Sequence, residues 1–310
     1  MENHTSITEF HIVPFSMKAG DEPVIFGVFF LIYVFGVLLN LAIITVICLD
    51  SHLHTPMYLF FCNLSFVDIC YTSVTVPKLL QMLRSGKNKL FFPQCFAQVY
   101  FFVIAASSED TLLFVMGYDR YIAICHPLHY HQILSKKVCI MVVTMIWLCA
   151  GVNSMLWLVS VLKMSFCHST TIHQFFCDAK ALRDIACSGL NMFYIVMFAN
   201  IVLLGVCPFF INVMSYKKII SVILHIKSRE GRRKAFSTCS SHLTVMTMYY
   251  VISIPVYMIP PSEQFIFLDQ IMTVLYTTVI PMVNPLVYSL RNYEIRRAIQ
   301  RLVVQLVTPH

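Results

Sequence analysis

Charge is what this sequence has least of. Only 12% of its 310 residues are Asp, Glu, Lys or Arg, while 58% are hydrophobic and the mean hydropathy is +0.74. A soluble domain is about a quarter charged and under half apolar, so this chain has too few polar groups to cover its own surface. That excludes an ordinary soluble globule and makes lipid the expected solvent. The alternation over about ten residues that marks a transmembrane barrel strand is also missing. No internal repeat, low-complexity tract or linker sets off a second domain. No nucleophile–base arrangement or metal signature points to an enzyme. Residues 1–23 carry four acids but no basic n-region and no apolar h-region, which argues against a cleaved signal peptide.

What is present is a series of long apolar runs. A helix needs roughly 20 mostly apolar residues to cross the hydrocarbon, and helices satisfy their own backbone groups where no water can. Runs near 24–49, 57–80, 95–120, 138–160, 192–216, 237–260 and 270–290 predict seven spans. The sixth and seventh are the weakest, since Ser237 to Thr247 is rich in hydroxyls. Pro255, Pro281 and Pro285 inside spans are tolerable, because neighbouring helices re-satisfy the freed carbonyls. The chain reads as one all-α membrane domain over 24–290, with residues 1–23 as an N-terminal segment and 291–310 as a tail.

Basic loops stay cytoplasmic. With the C-terminus inside, fourteen of the 22 basic residues face the cytosol, seven of them from Lys217 to Lys234, and the inner segments carry a net +10. The outer segments are neutral. An extracellular N-terminus and a cytoplasmic C-terminus are therefore expected. Asn3-His4-Thr5 then becomes an exposed N-glycosylation acceptor, while Asn63-Leu64-Ser65 falls inside the second span and is rejected.

Eight of the twelve cysteines sit in or beside spans, where they read as small buried hydrophobes. Cys95, Cys167, Cys177 and Cys187 lie on the expected outer face, an oxidising side. Four cysteines allow three pairings. A metal site of His168, His173 and Cys177 is a weaker reading, because a bridged sulfur is not a thiolate ligand. Asp68, Glu109 and Asp110 lie within spans, where a charge is costly and marks a functional site by default. Adjacent helical residues point about 100° apart, so Glu109 and Asp110 face different partners. One of them is expected to meet Asp68 and share a cation or a proton. Asp119-Arg120-Tyr121 closes the third span with a local ion pair able to break when another partner competes.

Met116-Gly117-Tyr118-Asp119-Arg120-Tyr121-Ile122-Ala123-Ile124-Cys125 with His126-Pro127-Leu128 resembles the signature of odorant receptors, a rhodopsin-like G-protein-coupled receptor family. Leu53-His54-Thr55-Pro56-Met57-Tyr58, Leu64-Ser65-Phe66-Val67-Asp68, Lys234 to Leu243 and Pro281 to Asn292 resemble four further family motifs, in the right order. The resemblance implies a seven-helix bundle with bridges Cys95–Cys177 and Cys167–Cys187, and a short amphipathic helix over 291–303 whose Arg296, Arg297 and Arg301 face anionic lipid. It implies activation switches at Asp119, Arg120, Tyr121, Asn284, Pro285 and Tyr288, with Tyr216 packing against them in the active state. Asp68 and Glu109 match an acidic pair that is a candidate sodium site; no other cofactor is implied. The sequence departs from the family pattern at Gly117 (usually Ala), a change expected to matter little, and at Leu39 before Asn40 (usually Gly). Tyr249-Tyr250-Val251-Ile252 replaces Phe-Tyr-Gly-Thr, and Asp110 has no counterpart.

Carried over position by position, the ligand cavity includes Phe102, Val103, Ala106, Ser107, Asn200, Ile201, Tyr250, Ser253, Tyr257 and Thr277. Phe102 stands where an amine receptor has Asp, so amines are disfavoured. An apolar pocket with a few hydroxyls and one amide suits a small, neutral, volatile odorant. The family implies a plasma-membrane receptor that raises cyclic AMP through a heterotrimeric stimulatory G protein, with membrane lipid as a further partner and no nucleic acid. The competing reading is a transporter or channel with Asp68, Glu109 and Asp110 along an ion path, but neither an inverted repeat nor a pair of broken helices supports it.

Overall fold

The computed structural model describes residues 9–15, 20–167, 170–258 and 263–307. Asn3 and His168 lie outside these residues, and the side chain of Tyr257 is not among those described. Eight long helices, numbered in chain order, form the molecule: α1 (Glu22–Leu49), α2 (Pro56–Ser85), α3 (Phe92–Cys125), α4 (Lys136–Leu162), α5 (Asn191–His225), α6 (Arg229–Met258), α7 (Ile266–Ser289, continuing to Arg291) and α8 (Tyr293–Val307). The first seven make a bundle, and α3 runs through its middle, packed against α2, α4, α5 and α6. Below, "the bridged end" carries the disulfides and "the basic end" carries Arg120.

Six of the seven bundle helices are long and apolar enough to cross a bilayer. The remaining one, α6, begins at Arg229 rather than near 237. Its first turns are charged, so an apolarity criterion does not see them, although their backbone bonds continue the same helix. Hydroxyls in α6 find partners within the helix: Ser240 and Ser241 donate to the Ser237 carbonyl, and Thr244 donates to Ser240. Of the most apolar stretch of α5 only 6% is buried, against 56% for α2 and α3. So the greasiest surfaces point outward, which is stable only in lipid.

Helix ends follow local chemistry. Pro56 and Pro93 start α2 and α3, where a missing N–H costs nothing. The Ser135 hydroxyl caps α4 by accepting from the Val138 N–H. Gly86 ends α2 with φ +65°, the left-handed geometry that suits glycine. Within α5 and α7, wider π turns at Ile201–Val206 and Leu275–Val279 lead into Pro208 and Pro281. Each proline removes an N–H and crowds the turn before it, and a wider turn accommodates both.

The bridged end holds an element the sequence reading did not foresee. Strand β1 (Glu9–Ile12) lies between β2 (Lys89–Phe91), which is antiparallel to it, and β3 (Thr171–Ile172), which is parallel. Glu9 pairs with Lys89, while Phe10 and Ile12 are fully buried, Phe10 stacked on Phe92 at 5.1 Å. Two inward residues are too short an alternation to read as a strand.

The cysteine pairing is that of the resemblance: Cys95–Cys177 ties the long α4–α5 segment to α3, and Cys167–Cys187 closes that segment on itself. Cys177 is therefore no metal ligand. Asn63 lies within α2, its amide donating to Leu59 O and accepting from Trp147 Nε1.

Gly189 completes the α4–α5 segment at φ +81°, and a Cβ there would lie 1.9 Å from the Lys163 carbonyl oxygen. Left-handed geometry costs an ordinary residue about 1–2 kcal/mol even without a clash. Gly189→Ala should therefore lower the melting temperature of purified protein and the fraction delivered to the cell surface, read by a thermal-shift assay and surface immunolabelling. Gly27→Ala, where a Cβ meets nothing within 4 Å, should change neither.

Candidate functional site

The site is built downward from the bridged end. The backbone N–H of Cys177 donates to Gln98 Oε1 at 2.8 Å, and Gln98 Nε2 donates to Val74 O, so the α4–α5 segment is fastened to α3 and α2. Lys180, nearly buried, pairs with Asp269 at the start of α7 and donates to Val256 O of α6 at 2.7 Å. Gln174 adds bonds to Asp269 and Thr273. Asp178 stands at the N-cap position of the short helix Ala179–Ile185. Burial pushes its carboxyl up to about 6, against the lowering effect of Lys180. Phe175 and Phe176 point inward, Phe176 onto Phe102 at 4.8 Å.

Beneath this cap lie the residues expected to bind ligand. Val103, Ala106 and Ser107 are buried along one face of α3. Phe102 packs between Phe176 and Tyr71 of α2. Ser107 and Asn200 are joined through a residue the sequence reading missed: Asn153 of α4 donates to Ser107 Oγ and to Asn200 Oδ1, both at 2.8 Å, and accepts from Asn200 Nδ2. A lone amide in the apolar run of α4 was the signal that could have found it. Tyr250 meets Phe209 of α5 edge-on at 5.0 Å, Ser253 is buried, and the Thr277 hydroxyl donates to Thr273 O. Ile201 stands apart, 39% exposed on the outside of α5.

At mid-depth Asn284 of α7 donates to both oxygens of Asp68 at 3.3 Å. Glu109 is fully buried beside this pair, and neither of its oxygens makes a hydrogen bond of normal geometry. Asn284 Oδ1 is likewise unpartnered. Two carboxyl groups and an orphaned amide oxygen form an oxygen-rich set of the kind a small hard cation takes. Asp110, by contrast, lies near the Tyr249 hydroxyl of α6.

At the basic end Arg120 is held by its neighbour Asp119, through Nε at 2.9 Å and through the terminal nitrogen. The Tyr130 hydroxyl donates to the other Asp119 oxygen at 2.8 Å. Tyr216 does not touch this pair but meets His242 of α6 at 2.6 Å. His242 Nε2 faces Leu113 O, which can only accept, so Nε2 carries the hydrogen and Nδ1 accepts from Tyr216. Tyr288 packs on Phe61 at 4.2 Å, close behind Pro285. Tyr121 lies under Lys218 Nζ. At Gly117 a Cβ would lie 2.2 Å from Asn212 Oδ1, so the end of this side chain of α5 occupies the space beside α3 that an alanine would need it to leave.

The olfactory receptor family model matches residues 29–306. Olfactory receptor 1496 of Rattus norvegicus is 41% identical over 98% of both chains, and olfactory receptor 1E16 of Mus musculus is 42% identical over 97% of this chain and 96% of its own. Olfactory receptor 1E2 of Gorilla gorilla gorilla is 40% identical over 99% and 98%. The chain belongs to the olfactory receptor family. It is thus a multi-pass membrane receptor for odorants, a G-protein-coupled receptor and not an enzyme.

The receptor's α8 departs from expectation in two respects. It runs to Val307, beyond the expected end at 303, and its Arg301 is not free for lipid: it grips Asp50 between α1 and α2, at 2.9 and 2.6 Å. Burial would raise the Asp50 carboxyl, but Arg301 and His52 outweigh it and hold it at about 2. Arg297 stacks over the Tyr293 ring at 4.3 Å.

Asp178 supplies a pH test. Its folded-state value lies above that of an unfolded aspartate, so the folded receptor binds the extra proton between about pH 4 and 6 and loses stability as pH rises through that window. Asp178→Asn, which keeps the size and removes the titration, should raise the melting temperature at pH 7.4 and flatten its slope between pH 4 and 6. An unchanged slope would remove Asp178 as its source.

Proposed function

We propose that this receptor sits in the plasma membrane with its bridged end outside, binds small neutral volatiles between α3, α5, α6 and α7, and raises cyclic AMP through a stimulatory G protein. The observation that carries the reading is the pairing at the basic end. Arg120 is engaged by Asp119, and Tyr216 by His242, and further along α5 and α6 lies a groove of about 750 Å³ lined by Ile223, Leu224, Arg229, Glu230, Arg232, Arg233 and Phe236, three arginines against one acid. These bonds belong to a resting arrangement. Outward movement of α6 separates His242 from Leu113 and Tyr216, frees Tyr216 to approach Arg120, and opens the basic groove to the G protein. A ligand drives this change only by preferring the open form.

The cavity reading rests on the Ser107–Asn153–Asn200 network, which places one hydroxyl and two amides among apolar walls. Asn3 is the proposed glycan site. Asp68 and Glu109 are the proposed sodium ligands, supported by the orphaned oxygens of Glu109 and Asn284. A bound cation there would favour the resting form by adding contacts among α2, α3 and α7.

A broad odorant panel in cells with a cyclic AMP reporter should give concentration-dependent responses, abolished by Arg120→Ala at equal surface level. Silence across the panel despite surface expression counts against the reading. Ser107→Ala removes one neutral hydrogen bond, about 1 kcal/mol, and should shift potency about fivefold for ligands that use it. For the cation, sodium should raise the melting temperature relative to N-methylglucamine, and Glu109→Gln should erase the difference.

A further inference from the structure

A hydroxyl on a helix can settle its proton on the backbone carbonyl four residues earlier, and Thr45, Thr72, Thr111, Thr144 and Thr277 do so. Ser107 on α3 does not. Its Oγ accepts from Asn153 Nδ2 of α4 at 2.8 Å, and among the described residues none takes its proton. The reason is a chain of bonds that begins at one backbone carbonyl. Val196 O of α5 can only accept, so the amide nitrogen of Asn200 faces it, at 2.8 Å. The same nitrogen donates to Asn153 Oδ1 at 3.0 Å. The Asn200 oxygen is thereby turned to Asn153 Nδ2, which donates to it at 2.8 Å and gives its other hydrogen to Ser107.

All four amide hydrogens of Asn153 and Asn200 are consumed in this chain. What the network keeps is the Ser107 proton, together with unused lone pairs on two amide oxygens that each accept one bond already. A hydroxyl that accepts is also the stronger donor, since hydrogen bonds in series polarise one another. Val103 and Ala106, buried on the same face of α3, offer that proton no polar side chain. Thr277 spends its own proton on Thr273 O. Among the described residues nothing fixes the hydroxyls of Tyr250 and Ser253 in this way, so they donate or accept as a ligand requires. Ser107 is the hydroxyl whose role the protein's own bonds have set. We propose that Ser107, positioned by Asn153, is a specificity-determining donor that selects odorants carrying a carbonyl oxygen, the ketones, aldehydes and esters, over hydrocarbons of the same shape.

The inference rests on the cavity proposed above, with Ser107 in its α3 wall. A carbonyl oxygen accepts the proton and brings none of its own that needs a partner. A hydrocarbon leaves the buried donor unmatched, which is equivalent to about fivefold in affinity for one neutral hydrogen bond. An alcohol also accepts from Ser107, and its own proton has the unused lone pairs of the amides to turn to. Alcohols therefore rank beside ketones and not above them.

The probes are medium-chain methyl ketones, the alkenes in which a methylene replaces the carbonyl oxygen, and the corresponding secondary alcohols. Thermal shift of the purified receptor in nanodiscs is measured beside cyclic AMP in cells at equal surface level. Ketones should be about fivefold more potent than their alkenes. Ser107→Val should abolish that preference, and Ser107→Thr, nearly the same shape with the hydroxyl kept, should retain it. Asn153→Leu should weaken it with Ser107 still in place, because the hydroxyl is then free to turn to the Val103 carbonyl. Alkenes as potent as ketones, alcohols about tenfold more potent than ketones, or a preference that survives Ser107→Val would overturn the inference while leaving the cavity in place. No shift from any probe would sink the cavity reading and the inference with it. Ketone preference in the thermal shift without cyclic AMP would leave the inference standing and remove the coupling. The unliganded receptor gives a second arm: the melting-temperature losses of Ser107→Val and Asn153→Leu should fail to add, because they break one shared bond. Additive losses would also overturn it.

Discussion

Lipid offers a buried donor nothing to bond, and this single constraint organises the receptor. Apolar side chains are nearly as well solvated by acyl chains as by one another, so they define the spans without deciding how the spans meet. The few polar groups inside the bundle decide it. Asn40 of α1 donates to Pro281 O of α7, Asn284 of α7 reaches Asp68 of α2, and Ser154 of α4 donates to Tyr100 O of α3. Asn63 and Trp147 join α2 to α4, and Asn153 gathers α3, α4 and α5. Each bond fixes a rotation and a height, because a helix turned by one residue leaves both partners unsatisfied. Arg301 and Asp50 do the same for α8 outside the bundle.

Unpartnered buried atoms occur along the whole length of the bundle. Gln174 Oε1 and Gln270 Oε1 lie in the cap at the bridged end, Asn40 Oδ1 and Ser108 Oγ within the bundle, and both oxygens of Glu109, Asn284 Oδ1, Asn212 Nδ2 and the Tyr288 hydroxyl between mid-depth and Arg120. An unsatisfied buried group costs about 1–3 kcal/mol, so the larger group, on the side of Arg120, lowers the stability of the very arrangement it belongs to. At the bridged end the disulfides, the Lys180–Asp269 pair and the small sheet offset that cost.

How far the sequence could be read follows from the same physics. Spans, the basic asymmetry and the acids inside helices are properties of composition over many residues, and the structure's helices lie where those properties place them. Bonds between distant elements are not. Nothing in the order of residues tells Arg301 that Asp50 waits 251 positions away, so the tail was read as three arginines facing lipid. Strand β1 exists because Phe10 packs on Phe92 and Phe166 and Ile12 is buried with it, and four residues cannot announce that alone. The start of α6 was missed because its first turns are basic. Nor does the exchange of alanine for Gly117 announce that the Asn212 side chain, 95 positions on, fills the space a methyl would take.

The seam of α3 with α5 and α6 is held by directional contacts. They fall on successive turns of α3, with Asp110 near Tyr249, the Leu113 carbonyl on His242, and Gly117 beside Asn212 and His242. Apolar contacts would let α6 slide by fractions of an ångström with little change in energy. Hydrogen bonds do not, because they weaken steeply once their angle and distance leave a narrow range. His242, with Tyr216 on one ring nitrogen and the Leu113 carbonyl on the other, ties α6 to both α5 and α3 at one height, so a tilt of α6 that breaks one bond strains the other. Under the activation proposed above, an odorant that moves α6 acts on the Tyr216 end through the helix itself.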